Sequence, residues 1–305
     1  MKQQDNPAPR SGFVAIIGRP NAGKSTLLNH LLGQKVAIIS DKPQTTRNQI
    51  RGIYNAEKGQ IVFIDTPGIH KPQHKLGEYM VEVTRRALQE VDVIAYLVDA
   101  SAEFGKGEQY ILNVLEEVET PVILVINKID RISRGELLKV IDEYRLKREF
   151  TEIVPVSAVK GENTDRLVDQ LFDYLPEGPM YYPPGMTSDQ PERFVIAELV
   201  REKVLRHTRE EVPHSLAVTV EEFEERSDDL IYVRAVIYVE RDSQKGIMIG
   251  HQGKMLKDIG REAREDIQNL LGSRVYLDLW VRVKKDWRDN EKYLRSFGYD
   301  LRDLE

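Results

Sequence analysis

The chain has no cysteine among its 305 residues. Disulfides and thiolate metal sites are therefore excluded, and a reducing compartment suits it. Long apolar runs are absent too: none approaches the ~20 residues that a membrane-spanning helix needs. Residues 1–10 are polar and proline-bearing, without the apolar core of a secretion signal. There is no excess of positive charge, since 44 Lys and Arg stand against 50 Asp and Glu, a net of −6. A polyanionic partner would have to be held by a local patch. What is present, 41% hydrophobic and 31% charged residues, is ordinary for folded protein, and the length suggests about two domains.

The first half alternates two patterns. Short runs rich in Val and Ile at 13–17, 61–64, 93–98, 122–126 and 153–156 read as strands buried on both faces. Amphipathic stretches at 75–90, 107–118 and 135–150 read as helices. Such alternation predicts an α/β fold, a mostly parallel sheet with helices on both faces. Residues 176–191 carry five prolines and no period, and read as a linker. The expected division is a first domain at 1–178, a linker at 179–191 and a second domain at 192–305.

Gly18, Arg19, Pro20, Asn21, Ala22, Gly23, Lys24 and Ser25 match GxxxxGK[ST], followed by Thr26. The motif directly follows a predicted strand and opens a helical stretch, the context it requires. Two glycines let the backbone turn so that its N–H groups face phosphate oxygens, and the helix end adds to this anion site. Lys24 is expected on the β- and γ-phosphates and Ser25 on Mg²⁺. Further on, Asp65, Thr66, Pro67 and Gly68 end a predicted strand, with Ile69 next. Asp65 is placed to hold Mg²⁺ through water, and the Gly68 N–H to sense a γ-phosphate. Between these motifs lies a polar stretch with Thr45 and Thr46, of which Thr46 is the preferred third Mg²⁺ ligand.

The phosphate loop does not separate ATP from GTP, but Asn127, Lys128, Ile129 and Asp130 do. They follow a buried strand at its carboxyl end, where ligands of such sheets bind. Guanine offers N1–H and N2–H₂ donors on one edge, and the Asp130 carboxylate accepts both. Adenine lacks that pair, and a site built for it rejects the wrong base. Asn127 is expected to bond the base and to tie neighbouring loops, and the Lys128 stem to pack along the base. Ser157 and Ala158 follow the last strand, where the Ala158 N–H suits guanine O6. Read alone, each of these motifs is also an ordinary polar loop; order and position favour nucleotide binding.

The second half has a different frame: helix, two strands, helix, GxxG, helix, strand. The two strands are joined by an acidic turn, six acids against one Arg in residues 221–230. Gly250, His251, Gln252 and Gly253 form the GxxG, leading into a helix at 254–271. A KH module clamps single-stranded RNA backbone with such a loop. Residues 241–288 hold 11 Lys and Arg against 7 Asp and Glu, so binding would be patch-driven and salt-sensitive. His251, Lys254, Lys257 and Arg261 are the phosphate-contact candidates. Trp280 and Trp287 could pair to stack bases, but core packing is the expectation for Trp280.

GRPNAGKS, QTTRN, DTPG, NKID and SA, in this order, resemble the five motifs of translation-factor-related GTPases. Followed by one GxxG-bearing KH domain of type II, they resemble the Era-like family over almost the whole chain. The resemblance implies a GTP-hydrolysing switch that uses GTP, GDP and Mg²⁺, with Lys24, Thr46, Gly68 and Asn21 serving catalysis. Many relatives carry a glutamine where this chain has Ile69, so slow intrinsic hydrolysis is expected. Asn21 matches the asparagine of cation-dependent relatives, which makes K⁺ a candidate second cation. The resemblance further implies a monomer that binds the 3′ region of 16S rRNA and assists 30S subunit maturation. It implies a cytoplasmic protein with a peripheral inner-membrane fraction. The competing readings are a second domain that docks a protein or membrane, with GxxG a mere turn, and an ATP-using metabolic enzyme.

Overall fold

The structure is a computed structural model that describes residues 8–69, 71–210 and 212–304. Most of the polar N-terminal stretch, residues 1–7, lies outside these. The chain forms two compact units. The first gathers the described residues of Met1–Ala37, Thr46–Lys71 and Met80–Asp189; the second gathers those of Ile38–Thr45, Pro72–Tyr79 and Gln190–Glu305. The units therefore do not follow the chain as two simple halves.

In chain order the first elements are β1 (Arg10–Gly18), α1 (Lys24–Leu32), β2 (Ile50–Ala56), β3 (Gly59–Asp65), α2 (Lys75–Gln89), β4 (Val93–Asp99), α3 (Lys106–Leu115), β5 (Val122–Asn127), α4 (Arg134–Lys147), β6 (Glu152–Pro155) and α5 (Thr164–Tyr174). Six strands form one sheet in the order β2-β3-β1-β4-β5-β6. All pairs are parallel except β2 with β3. The parallel strands are buried on both faces, as their unbroken apolar runs require: β4 and β5 each hide six successive residues. One face carries Ala15, Ile17, Ile94, Tyr96, Leu124 and Ile126 into a core shared with Ile111 and Tyr144. Each buried aliphatic contributes about 1.5–3 kcal/mol relative to exposure. Because β1, β4 and β5 run in parallel, their carboxyl ends lie at one edge. The phosphate loop, Asp99 and the Asn127 loop are all delivered there.

The proline-rich stretch packs against the first unit instead of hanging free. Thr187 O accepts from Ile53 N at 2.9 Å, and Gln60 Oε1 accepts from both Tyr181 N and Tyr182 N at 2.9 Å.

The second unit continues with α6 (Glu192–His207), β7 (Ala217–Ser227), β8 (Leu230–Val239), α7 (Asp242–Ile249), α8 (Lys254–Leu271), β9 (Arg274–Val283) and α9 (Glu291–Ser296). Its sheet has the order β7-β8-β9, antiparallel then parallel. β7 runs on to Ser227, which pairs with Leu230, so the acidic turn is only Asp228 and Asp229. Helices α6 and α8 lay Ile196, Val200, Val204, Ile259, Ala263 and Ile267 on one sheet face. The expectation for Trp280 is corrected: it is 51% exposed, while Trp287 is fully buried. Val275 and Val281 of β9 face the core, and Trp280 has the opposite strand parity. Among the described residues no helix is long and apolar enough to cross a membrane.

Candidate nucleotide site and nucleic-acid interface

The strand-to-helix turn after β1 is shaped by glycine. Gly18 takes φ 152° and Gly23 φ 100°. A Cβ on Gly18 would lie 2.3 Å from Leu97 O, and one on Gly23 2.3 Å from Asn127 Nδ2. Any side chain would therefore open the loop. Lys24 Nζ donates to Gly18 O at 3.1 Å and Arg19 O at 3.0 Å across the loop. Burial pushes the Lys24 ammonium down to about 8, against the pull of Asp65 and Glu108. A buried cation closing a ring of backbone amides is an anion trap.

Beside it Ser25, Thr46 and Asp65 converge. Asp65 Oδ2 accepts from Ser25 Oγ at 2.7 Å and from Thr46 Oγ1 at 3.2 Å, and the two hydroxyls are 3.1 Å apart. Thr45 turns elsewhere, donating to Lys42 O at 2.6 Å. The other carboxylate oxygen, Asp65 Oδ1, is buried without a hydrogen-bond partner among the described residues. Burial raises the Asp65 carboxyl above its ordinary range, with Lys24, Ser25 and Thr46 opposing. Three hard oxygen donors, one of them orphaned, fit Mg²⁺. The cation would satisfy that oxygen and favour the charged carboxylate.

The base end is assembled from three loops. Asn127 Nδ2 donates to Ala22 O at 2.9 Å, and Ala158 N donates to Asn127 Oδ1 at 3.0 Å. One amide thus ties the phosphate loop to the Ser157–Ala158 loop. Lys128, at φ 65°, donates to Asn21 O at 2.7 Å and Asp99 Oδ2 at 2.6 Å. Asp130 is exposed and accepts from Ser157 Oγ at 2.6 Å. That hydrogen bond holds its carboxyl below the usual range. A charged, outward carboxylate is what a guanine edge requires.

Two expected residues face away. Thr66 is fully buried and donates its hydroxyl to Ile16 O at 2.9 Å, a strand-anchoring role. Pro67 is buried, and its carbonyl accepts from Thr84. Gly68 lies against the loop, where a Cβ would come 2.7 Å from Pro20 N. Ile69 is 5% exposed within the apolar core, so its side chain cannot address a water.

In the second unit the GxxG loop carries three left-handed residues: Gly250 (φ 71°), Gln252 (φ 52°) and Gly253 (φ 76°). A Cβ on Gly250 would collide with Met255 at 2.7 Å, while one on Gly253 meets nothing within 4 Å. Gly250 shapes the loop, and Gly253 keeps its outer side open. Beside it runs a groove of about 510 Å³ between α8 and β9. Leu256, Leu277, Leu279 and Gly260 give it an apolar floor; Lys257, Arg261 and Arg264 give it cations. His251, Gln252 and Lys254 stand apart from the groove lining, all three exposed, with Lys254 the first residue of α8.

Comparisons with known proteins match this geometry. A 50S ribosome-binding GTPase family model matches residues 13–128, and a KH-domain model matches 211–288. GTPase Era of Heliobacterium modesticaldum is 58% identical over 291 residues, 95% of this chain and 97% of that one. The chain belongs to the Era family of GTPases. Era of Aquifex aeolicus, solved as a single-residue variant bound to GDP·AlF₄⁻, superimposes with a TM-score of 0.92 at 46% identity, covering 96% of this chain and 100% of its own. An Era structure with MgGDPNP and nucleotides 1506–1542 of 16S ribosomal RNA gives the same identity, coverage and TM-score. The family hydrolyses GTP with Mg²⁺.

Sequence reasoning missed three residues that the structure adds to these sites. Asp99, which holds Lys128, ends β4, and the strand-end rule could have found it. Arg264 follows Lys257 and Arg261 at helical spacing, which places the three on one face. Glu108 gave no sequence signal.

Proposed function

We propose that this GTPase is an RNA-binding switch for the small ribosomal subunit, holding the 3′ region of 16S rRNA with its KH unit in a manner coupled to GTP state. The observation that carries this is the pairing, in one chain, of a guanine-reading amide cage with an open GxxG loop beside a cation-rimmed apolar groove. Single-stranded RNA needs those two features: close approach of its backbone to the loop, and an apolar bed for its bases. An Era 46% identical to this chain is solved with such an RNA.

Hydrolysis draws on Lys24, Gly68 and a cation held by Ser25, Thr46 and Asp65, since positioning and charge neutralisation dominate phosphoryl transfer. With Ile69 buried, the attacking water is oriented by other groups, and intrinsic turnover is slow. K⁺ near Asn21 is our candidate for the extra charge; equal GTP turnover in Na⁺ and K⁺ buffers would remove it. The protein works as a monomer in the cytoplasm, with a peripheral membrane fraction.

The test is Gly253→Asp. It places a carboxylate in open space where phosphate would lie, at a backbone angle Asp tolerates. Affinity for a single-stranded RNA of the 16S 3′ sequence should fall about tenfold or more, with GTP turnover intact. Unchanged RNA affinity would favour a second unit that docks a protein or membrane.

A further inference from the structure

Glu108 lies on α3, outside every nucleotide-binding motif, yet its carboxylate is buried at 4% exposure. A buried carboxylate is costly unless satisfied. One oxygen accepts from the Tyr96 hydroxyl, and the other lies 3.8 Å from Arg19 Nη1. Burial lifts this carboxyl above its ordinary range, opposed by Tyr96 and Arg19. Tyr96 is itself fixed, edge-on to Tyr144 at 6.3 Å. A second, independent feature shapes the same place: a Cβ on Gly107 would lie 2.9 Å from Arg19 Nε and 3.2 Å from its Cδ. The start of α3 therefore offers a glycine-floored trough for the Arg19 stem, with a carboxylate at its end.

Arg19 is the second residue of the phosphate loop. Its carbonyl and that of Gly18 are the two that meet Lys24 Nζ. We propose that Glu108 is a positioning residue for GTP and GDP binding: it anchors the Arg19 side chain on α3 and so fixes the first turn of the amide cage. The inference rests on the GTPase reading of this site. The cage grips ground state and transition state alike, so loosening it weakens binding more than it slows chemistry.

The experiment measures affinity for fluorescent GDP, with KM and kcat for GTP, in four variants of the full chain. Glu108→Gln keeps volume and can still accept from Tyr96 but loses the charge. Arg19→Ala changes a part-exposed side chain, so the test survives even if Glu108→Gln does not fold. We expect each to weaken GDP binding about three- to tenfold, on the scale of one partly buried ion pair, with the loss mainly in KM. The double variant should be no weaker than the worse single, and Arg19→Lys should recover part of the affinity. Wild-type affinity in either single variant, or additive losses in the double, overturns the proposal. If the wild type itself fails to bind GDP, the underlying GTPase reading fails instead.

Discussion

Asp130 and Ser157 show how one residue sets the working range of another. The Ser157 hydroxyl lowers the Asp130 carboxyl, so the carboxylate persists below the usual carboxylate pKa. Guanine binding needs the charged form; it is present above that lowered pKa and lost as pH falls through it. Ser157→Ala removes the first cause of the shift. The acid limb of GDP binding, followed by titration calorimetry across pH, should then move upward toward the ordinary Asp value. An unmoved limb would mean the hydroxyl does not tune Asp130. Ile69 supplies the opposite case. Restoring a glutamine there would bury an amide in an apolar core, at a loss of about 1–3 kcal/mol. Ile69→Gln should therefore lower the urea midpoint and leave GTP turnover no faster. Placements set by a motif, such as Lys24 in the phosphate loop and Asp130 after β5, were legible in sequence. Those fixed by direction, such as Thr66 turning into the sheet, were not.

Strand β9 is sorted by its pleat rather than by residue size. Its alternation was visible, and Val275, Leu277, Leu279, Val281 and Val283 share one parity. Trp280 falls on the other, where it is exposed and its indole N–H donates to Asp278 Oδ2 at 2.9 Å. Aromatic bulk suggested core, but the pleat decided. Trp287 is the buried one, donating to Ser215 O at 2.9 Å and packing on Phe297. Trp287→Ala should destabilise the second unit by about 3–5 kcal/mol. Trp280→Ala should stay within about 0.5 kcal/mol of wild type. Comparing their urea midpoints checks both. Other elements escaped for local reasons. β2 is the antiparallel edge, interrupted by Gly52, whose missing side chain makes room for Leu28 and Leu32. It lacks the unbroken apolar run of the central strands. Helix α5 carries its own signal, Leu167, Val168, Leu171 and Phe172 at helical spacing and all buried, but it is only about three turns long.

For the molecule as a whole, net charge is a poor guide to its partners. At −6 the chain repels polyanions at long range, so the proposed RNA contact would rest on local cations such as the groove's Lys257, Arg261 and Arg264. Three phosphate contacts on a single strand predict a log-affinity slope of about −2 against log salt. RNA titrations over a series of KCl concentrations measure it; a slope near zero would argue against phosphate contacts. The order of motifs along the chain made the two-part organisation legible. The composition of the units did not follow from it, because residues 38–45 and 72–79 pack with the second unit though they precede it in sequence. Long-range contacts of this kind leave no local pattern. On the proposed function, a main-chain cage holds the phosphates while Asp130 selects the base. It is tested most directly by titration calorimetry with Mg²⁺, GDP and xanthosine diphosphate on wild type and Asp130→Asn. Xanthine has a carbonyl where guanine has its amino group, so an amide suits it and a carboxylate does not. Wild type should bind GDP alone, and Asp130→Asn should exchange GDP for the xanthine nucleotide. Retained GDP affinity in the variant would contradict it.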